Sequence, residues 1–243
     1  MKCKLCREST DFGKSHVIPE SFFLHRKIQG ETPILTTNKI GTYPKKRPIG
    51  EYDSEILCKE CETIFNPWDS YGKELLINKQ NDFKVVEENG NVLGYYTKSF
   101  NCIKLKMFFI SILWRASISK RDLYTKVSLG PYEDILRDMI INGCPGVNDD
   151  YDVQLFRFNG VDYPIPILMP VEIRSSNGLR YYRIYLGDHF FDIKVDNQKT
   201  PKNHDLGIMG KSEELFIPTI NFRECQEYGI MRTIVNAPKN KNI

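Results

Sequence analysis

The middle of the chain carries the clearest helical pattern. Within residues 100–117, apolar side chains recur at helical spacing, and neighbouring phenylalanine, isoleucine and leucine residues widen the stripe. The stripe is formed by Ile103, Met107, Ile110 and Trp114. We therefore expect a helix that is buried nearly all round, with Trp114 in the core and Arg115 binding a buried carboxylate or carbonyl group. A second helix is predicted over residues 132–141, before an Asn-Gly stop.

Strand patterns dominate the C-terminal part of the chain. Short apolar runs alternate there with Asn-Gly and Gly-Asp turns, which predicts an antiparallel sheet. The runs cover residues 154–159, 165–175, 179–186 and 189–195. In the third run, alternation places Tyr181, Arg183 and Tyr185 on one face, which is either a binding surface or a solvent-exposed side of the sheet. Residues 82–96 predict a further hairpin around Asn89-Gly90.

The first eighty residues contain shorter elements. Residues 16–18 are predicted as a short strand, and residues 43–48 as a loop because two prolines lie in them. Asn66 is a candidate N-cap with Pro67 at the first helical position, so a helix is predicted from there to Asn78.

Composition describes an ordinary globular protein with no predicted membrane span. Apolar residues make up 41% of the chain, charged residues 27%, and the formal net charge is +3, so any nucleic-acid surface must be local. The longest apolar run, residues 107–114, is too short to cross a bilayer. The chain starts with a cysteine motif where a secretory leader would be apolar. Four of the seven cysteines are paired by spacing and three are scattered, which favours a reducing, cytoplasmic location.

Two C-x2-C pairs, Cys3 with Cys6 and Cys58 with Cys61, are the strongest chemical signal in the chain. Each pair places two thiolates on one tight turn, and four thiolates together can close a tetrahedral zinc site. The alternative is that these are ordinary buried thiols, but two pairs at identical spacing favour the metal. We therefore predict a structural Zn²⁺. The spacer of 51 residues between the pairs leaves room for a functional insertion.

That spacer contains a candidate base and a basic cluster. His16 can act as a general base on a water that attacks a phosphodiester, because its unperturbed pKa lies near neutral pH; the alternative is a packed or hydrogen-bonded bystander. Lys45, Lys46 and Arg47 carry the densest positive charge in this region. They either contact phosphates of DNA or RNA or form a solvated loop.

The order of these motifs resembles the HNH endonuclease superfamily, in its zinc-containing ββα-metal or treble-clef form. Within that superfamily the chain is similar to a group of bacterial proteins with a Ser-His-Ile-Ile-Pro type motif and a Leu-Cys-x-x-Cys-Glu motif. The matching stretches here are residues 15–19 and 57–62, and residues 111–117 and 127–131 also look like that group. The resemblance covers roughly residues 1–142.

The resemblance implies a nuclease in which His16 activates water while one metal ion stabilises the scissile phosphate. The chain departs from the usual pattern at three positions. Ser15 stands where typical members have a metal-binding Asp or His, the central Asn falls on Asp53, and Glu62 replaces a His. A carboxylate suits Mg²⁺ or Mn²⁺, so Glu62, together with Asp69, is a candidate ligand for a catalytic metal. The alternative for Glu62 is a solvated carboxylate favoured by a helix start.

We therefore expect an α+β protein with three parts. Residues 1–80 form a treble-clef-like zinc module, residues 81–145 a mostly helical segment that packs on it, and residues 146–243 an antiparallel β-rich region with a polar tail. The expected function is metal-dependent hydrolysis of DNA or RNA, with a role in anti-phage defence implied by the resemblance and a regulatory protein as a further partner. The competing hypothesis is a non-catalytic zinc module that binds nucleic acid or a partner protein, which the departures at Ser15 and Glu62 favour.

Overall fold

The fold is described from a computed structural model of the 243-residue chain. The structure describes residues 1–28, 34–35, 45–47, 49–146, 151–159, 168–201, 207–229 and 232. Helices and strands are mixed along the chain, which confirms the α+β class. Within the described part of the chain, no helix is both long and apolar enough to cross a membrane.

The N-terminal region is built from short strands and one helix. The elements are β1 (Ser15–His16), α1 (Glu20–Ile28), β2 (Ile34–Leu35), β3 (Lys45–Lys46) and β4 (Tyr52–Asp53). Strand β1 pairs with β4 in antiparallel register, and β2 pairs with β3 in the same way. Because Lys45 and Lys46 lie in β3, the prediction of a loop over residues 43–48 was wrong at these two positions, where cross-strand hydrogen bonds override the proline signals; Tyr43, Pro44 and Pro48 lie outside the described residues.

A continuous helical path follows the second cysteine pair. It consists of α2 (Lys59–Glu62), a 3₁₀ turn (Thr63–Phe65), α3 (Asn66–Lys73) and a π-helical turn (Glu74–Asn78). Asn66 has right-handed helical angles and belongs to the helix, so the prediction that it acts as N-cap was wrong. A 3₁₀ turn before Pro67 leads into the helix without a break. Proline is tolerated in the first turn because the N–H group that it lacks would have no partner within the helix there. The predicted end at Asn78 is confirmed.

Two longer helices form the centre of the molecule. They are α4 (Cys102–Ile118) and α5 (Tyr132–Asn142), as the periodicity predicted. Asn101 caps α4 by accepting a hydrogen bond from the Lys104 N–H at 2.9 Å. Helix α5 ends at Gly143, whose φ of 62° is the left-handed conformation that favours glycine.

The remaining strands form one seven-stranded sheet. They are β5 (Lys84–Glu88), β6 (Asn91–Thr97), β7 (Val153–Asn159), β8 (Val171–Arg174), β9 (Arg180–Leu186), β10 (His189–Lys194) and β11 (Leu215–Asn221). Their order is β5-β6-β11-β7-β10-β9-β8. The predicted hairpin is therefore part of the same sheet as the C-terminal strands. The sheet is antiparallel except where β11 runs parallel to β7, which the sequence did not predict.

Helix α4 is the layer that joins the sheet to the N-terminal region. Its side chain Phe109 packs against Phe191 of β10, with ring centroids 4.4 Å apart. On another side, α4 approaches α3 so closely that a Cβ atom on Gly72 would lie 2.7 Å from the Phe108 ring. Because Gly72 has no side chain, the Phe108 ring packs directly on the backbone of α3, which brings the two helices close together.

Candidate metal centre and catalytic site

The four cysteines of the two C-x2-C pairs lie together. Their Sγ atoms are all within 4.8 Å of one another. The group comprises Cys3, Cys6, Cys58 and Cys61, of which all but Cys6 are buried. In the part of the chain that the structure describes, this is the one group of three or more His, Cys, Asp or Glu side chains close enough to share a metal ion. Four clustered thiols are a donor set that suits Zn²⁺.

Backbone pairing brings the two cysteine pairs together. Residues just after the first pair bond to residues that flank the second: the Gly13 N–H donates to Leu57 O at 3.0 Å, and the Lys59 N–H donates to Asp11 O at 2.9 Å. The Lys4 N–H, inside the first pair, donates to Ile56 O at 2.8 Å. The two ends of the spacer therefore lie side by side. The entropy cost of closing such a loop grows only slowly with its length, so a long spacer is tolerated.

Backbone N–H groups also point at the sulfurs. The Cys61 N–H donates to Cys58 Sγ at 3.5 Å. Hydrogen bonds from the backbone at Ser9 and Glu8 lower the pKa of Cys6 to about 7, which favours its thiolate. Burial raises the pKa of Cys3 and Cys61, so these thiols need a cation to become thiolates near neutral pH. A metal ion held by the four cysteines would supply that charge.

His16 lies on β1, the strand that follows the first cysteine pair. It pairs with Tyr52 of β4, and the two rings are 5.8 Å apart between centroids. The imidazole is half-buried, and its Nε2 atom has no hydrogen-bond partner among the described residues. Burial lowers the pKa of His16 from 6.5, and the nearby Arg115 charge adds to this, whereas Glu20 and Asp69 oppose it. The lowered pKa favours the neutral imidazole.

Glu62 ends the short helix that carries the second cysteine pair. Its Oε2 atom is buried and has no hydrogen-bond partner in the described part of the chain. Burial raises the pKa of the carboxyl group, while the Ser15 hydroxyl and the Arg115 guanidinium oppose the rise by stabilising the charged form. Glu62 is partly exposed, but its Oε2 is shielded from solvent, so both its role as a metal ligand and the alternative of a solvated helix-start carboxylate remain predictions.

Asp69 is engaged in an ion pair with Arg115. Its Oδ1 accepts from Arg115 Nη2 at 2.7 Å and its Oδ2 accepts from Nη1 at 2.9 Å. Arg115 also donates to the backbone O of His16 at 2.8 Å. The expectation that Arg115 binds a carboxylate or carbonyl group is thus confirmed on both counts. Asp69 as a metal ligand stays a prediction, and each of its oxygens already accepts one hydrogen bond from Arg115.

Asp53 has a different environment from the other candidate residues. It is buried on β4 opposite Ser15. Its Oδ2 accepts from the Ser119 hydroxyl at 3.0 Å and from the Lys120 N–H at 3.1 Å, and its Oδ1 accepts from the Glu55 N–H at 3.0 Å. These bonds fasten the end of α4 to the strand. The catalytic role of Asp53 stays a prediction. Both of its carboxylate oxygens already accept hydrogen bonds from backbone N–H or hydroxyl groups.

The basic cluster lies on the chain just before β4. Lys46 is exposed and Arg47 is partly exposed, with an ion pair from Arg47 to Glu51. The side chain of Lys45 lies outside the described residues. Two residues beyond Arg47, the Ile49 backbone interacts with the His16 ring. The cluster is therefore close along the chain to a residue that contacts the candidate base, and its role as a phosphate contact stays a prediction.

Two aromatic residues beside the site were not singled out in the sequence. The ring of Tyr52 lies between His16 and Lys14, whose Nζ is 5.3 Å from the ring centroid. Tyr124 is fully buried, its hydroxyl has no hydrogen-bond partner among the described residues, and burial raises its pKa. The positive charge of Arg115 partly opposes this rise in the Tyr124 pKa. Only the alternation of β4 could have pointed to Tyr52, and no sequence signal pointed to Tyr124.

The predicted aromatic and basic face of β9 is not an open surface. Arg183 and Tyr185 do lie on one face, but both bind Glu227 from the C-terminal segment, at 2.8 and 2.9 Å. Arg183 also binds Asp192 through two bonds, at 2.7 and 2.8 Å. A covering segment with a buried carboxylate therefore replaces both the predicted binding surface and its solvent-exposed alternative at these two residues.

Comparison of the chain with protein-family models, with curated proteins and with solved structures found no match.

Proposed function

We propose that this protein is a metal-dependent HNH-type nuclease that hydrolyses phosphodiester bonds of DNA or RNA. The observation that carries the proposal is the state of His16. It is a half-buried imidazole with a lowered pKa, and its Nε2 is shielded from solvent and has no hydrogen-bond partner among the described residues; it lies on a strand next to a four-cysteine cluster. A general base needs an unprotonated nitrogen without a protein partner: the lowered pKa of His16 favours the unprotonated form, and water must enter beside Nε2 for it to act.

In this proposal the N-terminal region is a treble-clef-like zinc module. The first cysteine pair forms a turn, β1 and β4 form a small antiparallel pair, and the second cysteine pair opens a helix. Zn²⁺ held by the four cysteines fixes these parts relative to one another. His16 then has a constant position beside the helix that carries Glu62.

Each remaining residue has one role in the proposed reaction. His16 removes a proton from the attacking water, and Lys46 and Arg47, with Lys45, hold the phosphate backbone. Glu62 offers one unpartnered oxygen to Mg²⁺ or Mn²⁺, and such an ion, when bound, supplies positive charge to the scissile phosphate. Because Mg²⁺ commonly binds through one or two carboxylates plus substrate phosphates and waters, a single carboxylate is compatible with this role.

The competing function is a zinc module that binds nucleic acid or a partner protein without cleaving. It is favoured by one observation: the oxygens of Asp53 and Asp69 already accept hydrogen bonds within the protein. A role in anti-phage defence and control by a regulatory partner follow only from the resemblance of the motifs, so both remain proposals.

A cleavage assay separates the two functions. Purified protein is incubated with single- and double-stranded DNA and RNA, with Mg²⁺, Mn²⁺ or EDTA, and compared with the His16→Ala variant. The nuclease proposal expects metal-dependent cleavage that falls by about a hundredfold or more in the variant, since positioned bases contribute that much. Zinc content and Tm should stay close to those of the unmodified protein. Binding without cleavage under all of these conditions would leave the non-catalytic module.

A further inference from the structure

Arg115 is the most deeply buried cation near the candidate site. Its side chain is 1% exposed, although arginine is among the residues least often buried completely. It extends from the last turns of α4, a helix that carries none of the predicted catalytic residues. A charge in such a place is costly unless every donor is used, so its contacts indicate its role.

All five N–H donors of Arg115 are used. Nη1 donates to the backbone O of His16 and to Asp69 Oδ2; Nη2 donates to Asp69 Oδ1 and to Ser111 Oγ at 3.2 Å; Nε donates to Ser111 O at 3.3 Å. The guanidinium also lies over the Phe65 ring, 4.8 Å from its centroid. One planar group thus fixes three elements, β1, α3 and α4, at the position of His16.

We propose that Arg115, held in orientation by Asp69, is a positioning residue for His16. The bond to the His16 carbonyl fixes the backbone from which the imidazole extends, and the two bonds to Asp69 prevent the guanidinium from rotating. This proposal rests on the proposed function, because a general base loses much of its effect when it is displaced by about 1 Å from its position relative to the attacking water. It gives Asp69 a part in the site without metal binding.

Geometry explains why lysine cannot replace this residue. An ammonium group is a point charge on a flexible stem, whereas the guanidinium fork reaches the His16 carbonyl and both Asp69 oxygens at once. In a buried ion pair, removing one partner leaves the other charge unpaired, and this destabilises the folded protein. The single variants Arg115→Met and Asp69→Asn are therefore expected to lower Tm by about 5 °C or more, which confounds loss of fold with loss of position.

A paired replacement removes that confusion. Arg115→Met with Asp69→Leu replaces both charges by apolar groups, a change that often restores stability. We expect a Tm within a few degrees of the unmodified protein but a kcat reduced by about 10- to 100-fold, with little change in KM. The control is Arg183→Met with Asp192→Leu and Glu227→Gln: this cluster is also multiply hydrogen-bonded but lies on the sheet face opposite α4, and the Gln leaves no buried carboxylate without its cation. The control should keep its kcat.

A second measurement does not depend on cleavage. The ¹⁵N shifts of the His16 imidazole report its tautomer and its number of conformations, and the resonance is assigned by its loss in His16→Ala. The inference expects one fixed tautomer in the unmodified protein and averaged shifts in the Arg115→Met, Asp69→Leu protein. Unchanged His16 shifts, or full kcat in the folded double variant, would overturn it. If the unmodified protein cleaves nothing, the proposed function fails and the imidazole shifts alone decide the positioning role.

Discussion

The backbone N–H of Cys58 donates a hydrogen bond to the Sγ atom of Cys3 at 3.3 Å, although the two residues are 55 positions apart. This bond joins the two cysteine pairs directly and stabilises a negatively charged sulfur. We therefore expect about one zinc per chain in metal analysis, and loss of zinc together with unfolding in Cys58→Ser or after chelation. Cys144→Ser, which changes an exposed thiol, is the control and should keep both. A folded, metal-free protein would contradict the prediction.

The pH dependence of cleavage should report His16. Burial lowers the pKa of His16 below 6.5, and only the neutral imidazole accepts a proton, so activity should rise with pH through that lowered value and be level by pH 7. Stability has the same sign. The unfolded state binds the extra proton first as pH falls, so the contribution of neutral His16 is present above 6.5 and is lost through the folded-state pKa. Because kcat/KM reports the free enzyme, a kcat/KM profile whose acid limb lies above pH 6.5 would exclude His16 as the base.

The role of Glu62 can be tested with its neighbour on the same helix. Glu62→Gln keeps the shape of the side chain but weakens metal binding, so we expect about tenfold lower activity at low Mg²⁺ and partial recovery at high Mn²⁺, by mass action. Glu60→Gln removes an exposed carboxylate two residues away and should have little effect. Equal losses in the two variants, or no recovery with added metal, would count against ligation.

The basic cluster should determine the salt dependence of binding. Changing Lys45, Lys46 and Arg47 to Gln is expected to weaken nucleic-acid binding and to reduce the slope of log K against log salt by about two to three, since each phosphate contact contributes roughly 0.7 to 0.9. A matched triple variant on the sheet provides the control and should leave the slope unchanged; it removes the exposed cations Lys84, Lys98 and Arg174. Equal slopes in both variants would show that the cluster does not contact phosphates and would support the alternative of a solvated loop.

Local signals were sufficient for many of the regular elements and for the four-cysteine cluster. The apolar stripe of α4 and the Asn89-Gly90 hairpin depend on neighbouring residues only; both turn residues have positive φ, as such a turn requires. The cysteine pairs were recognisable because metal ligands follow a fixed spacing. Strand β11 was missed because Pro218 interrupts its pattern, and a proline is tolerated where its missing N–H has no ladder partner.

Partners across the fold were beyond the sequence. That Arg115 binds something was predictable from a charge inside an apolar run, but its partner Asp69 depends on the close approach at Gly72. The orientation of Asp53 toward Ser119 is likewise a result of tertiary packing. The alternation of β9 was correct, yet the burial of Arg183 depends on Glu227, which is 44 residues away. Periodicity gives the face of a strand and leaves open what covers it.

The position of β11 within the sheet has a consequence for how the protein is made. Strand β11 lies between β6 and β7, so during synthesis the early hairpin keeps an open edge until residues 215–221 have left the ribosome. The strand that covers Phe109 of α4 is also made late, at residues 189–194. All hydrogen-bond partners of Arg115 lie earlier in the chain than Arg115 itself, whereas the sheet that packs on the other side of α4 is completed about a hundred residues later. The N-terminal region can therefore form its own contacts before the sheet that covers α4 exists.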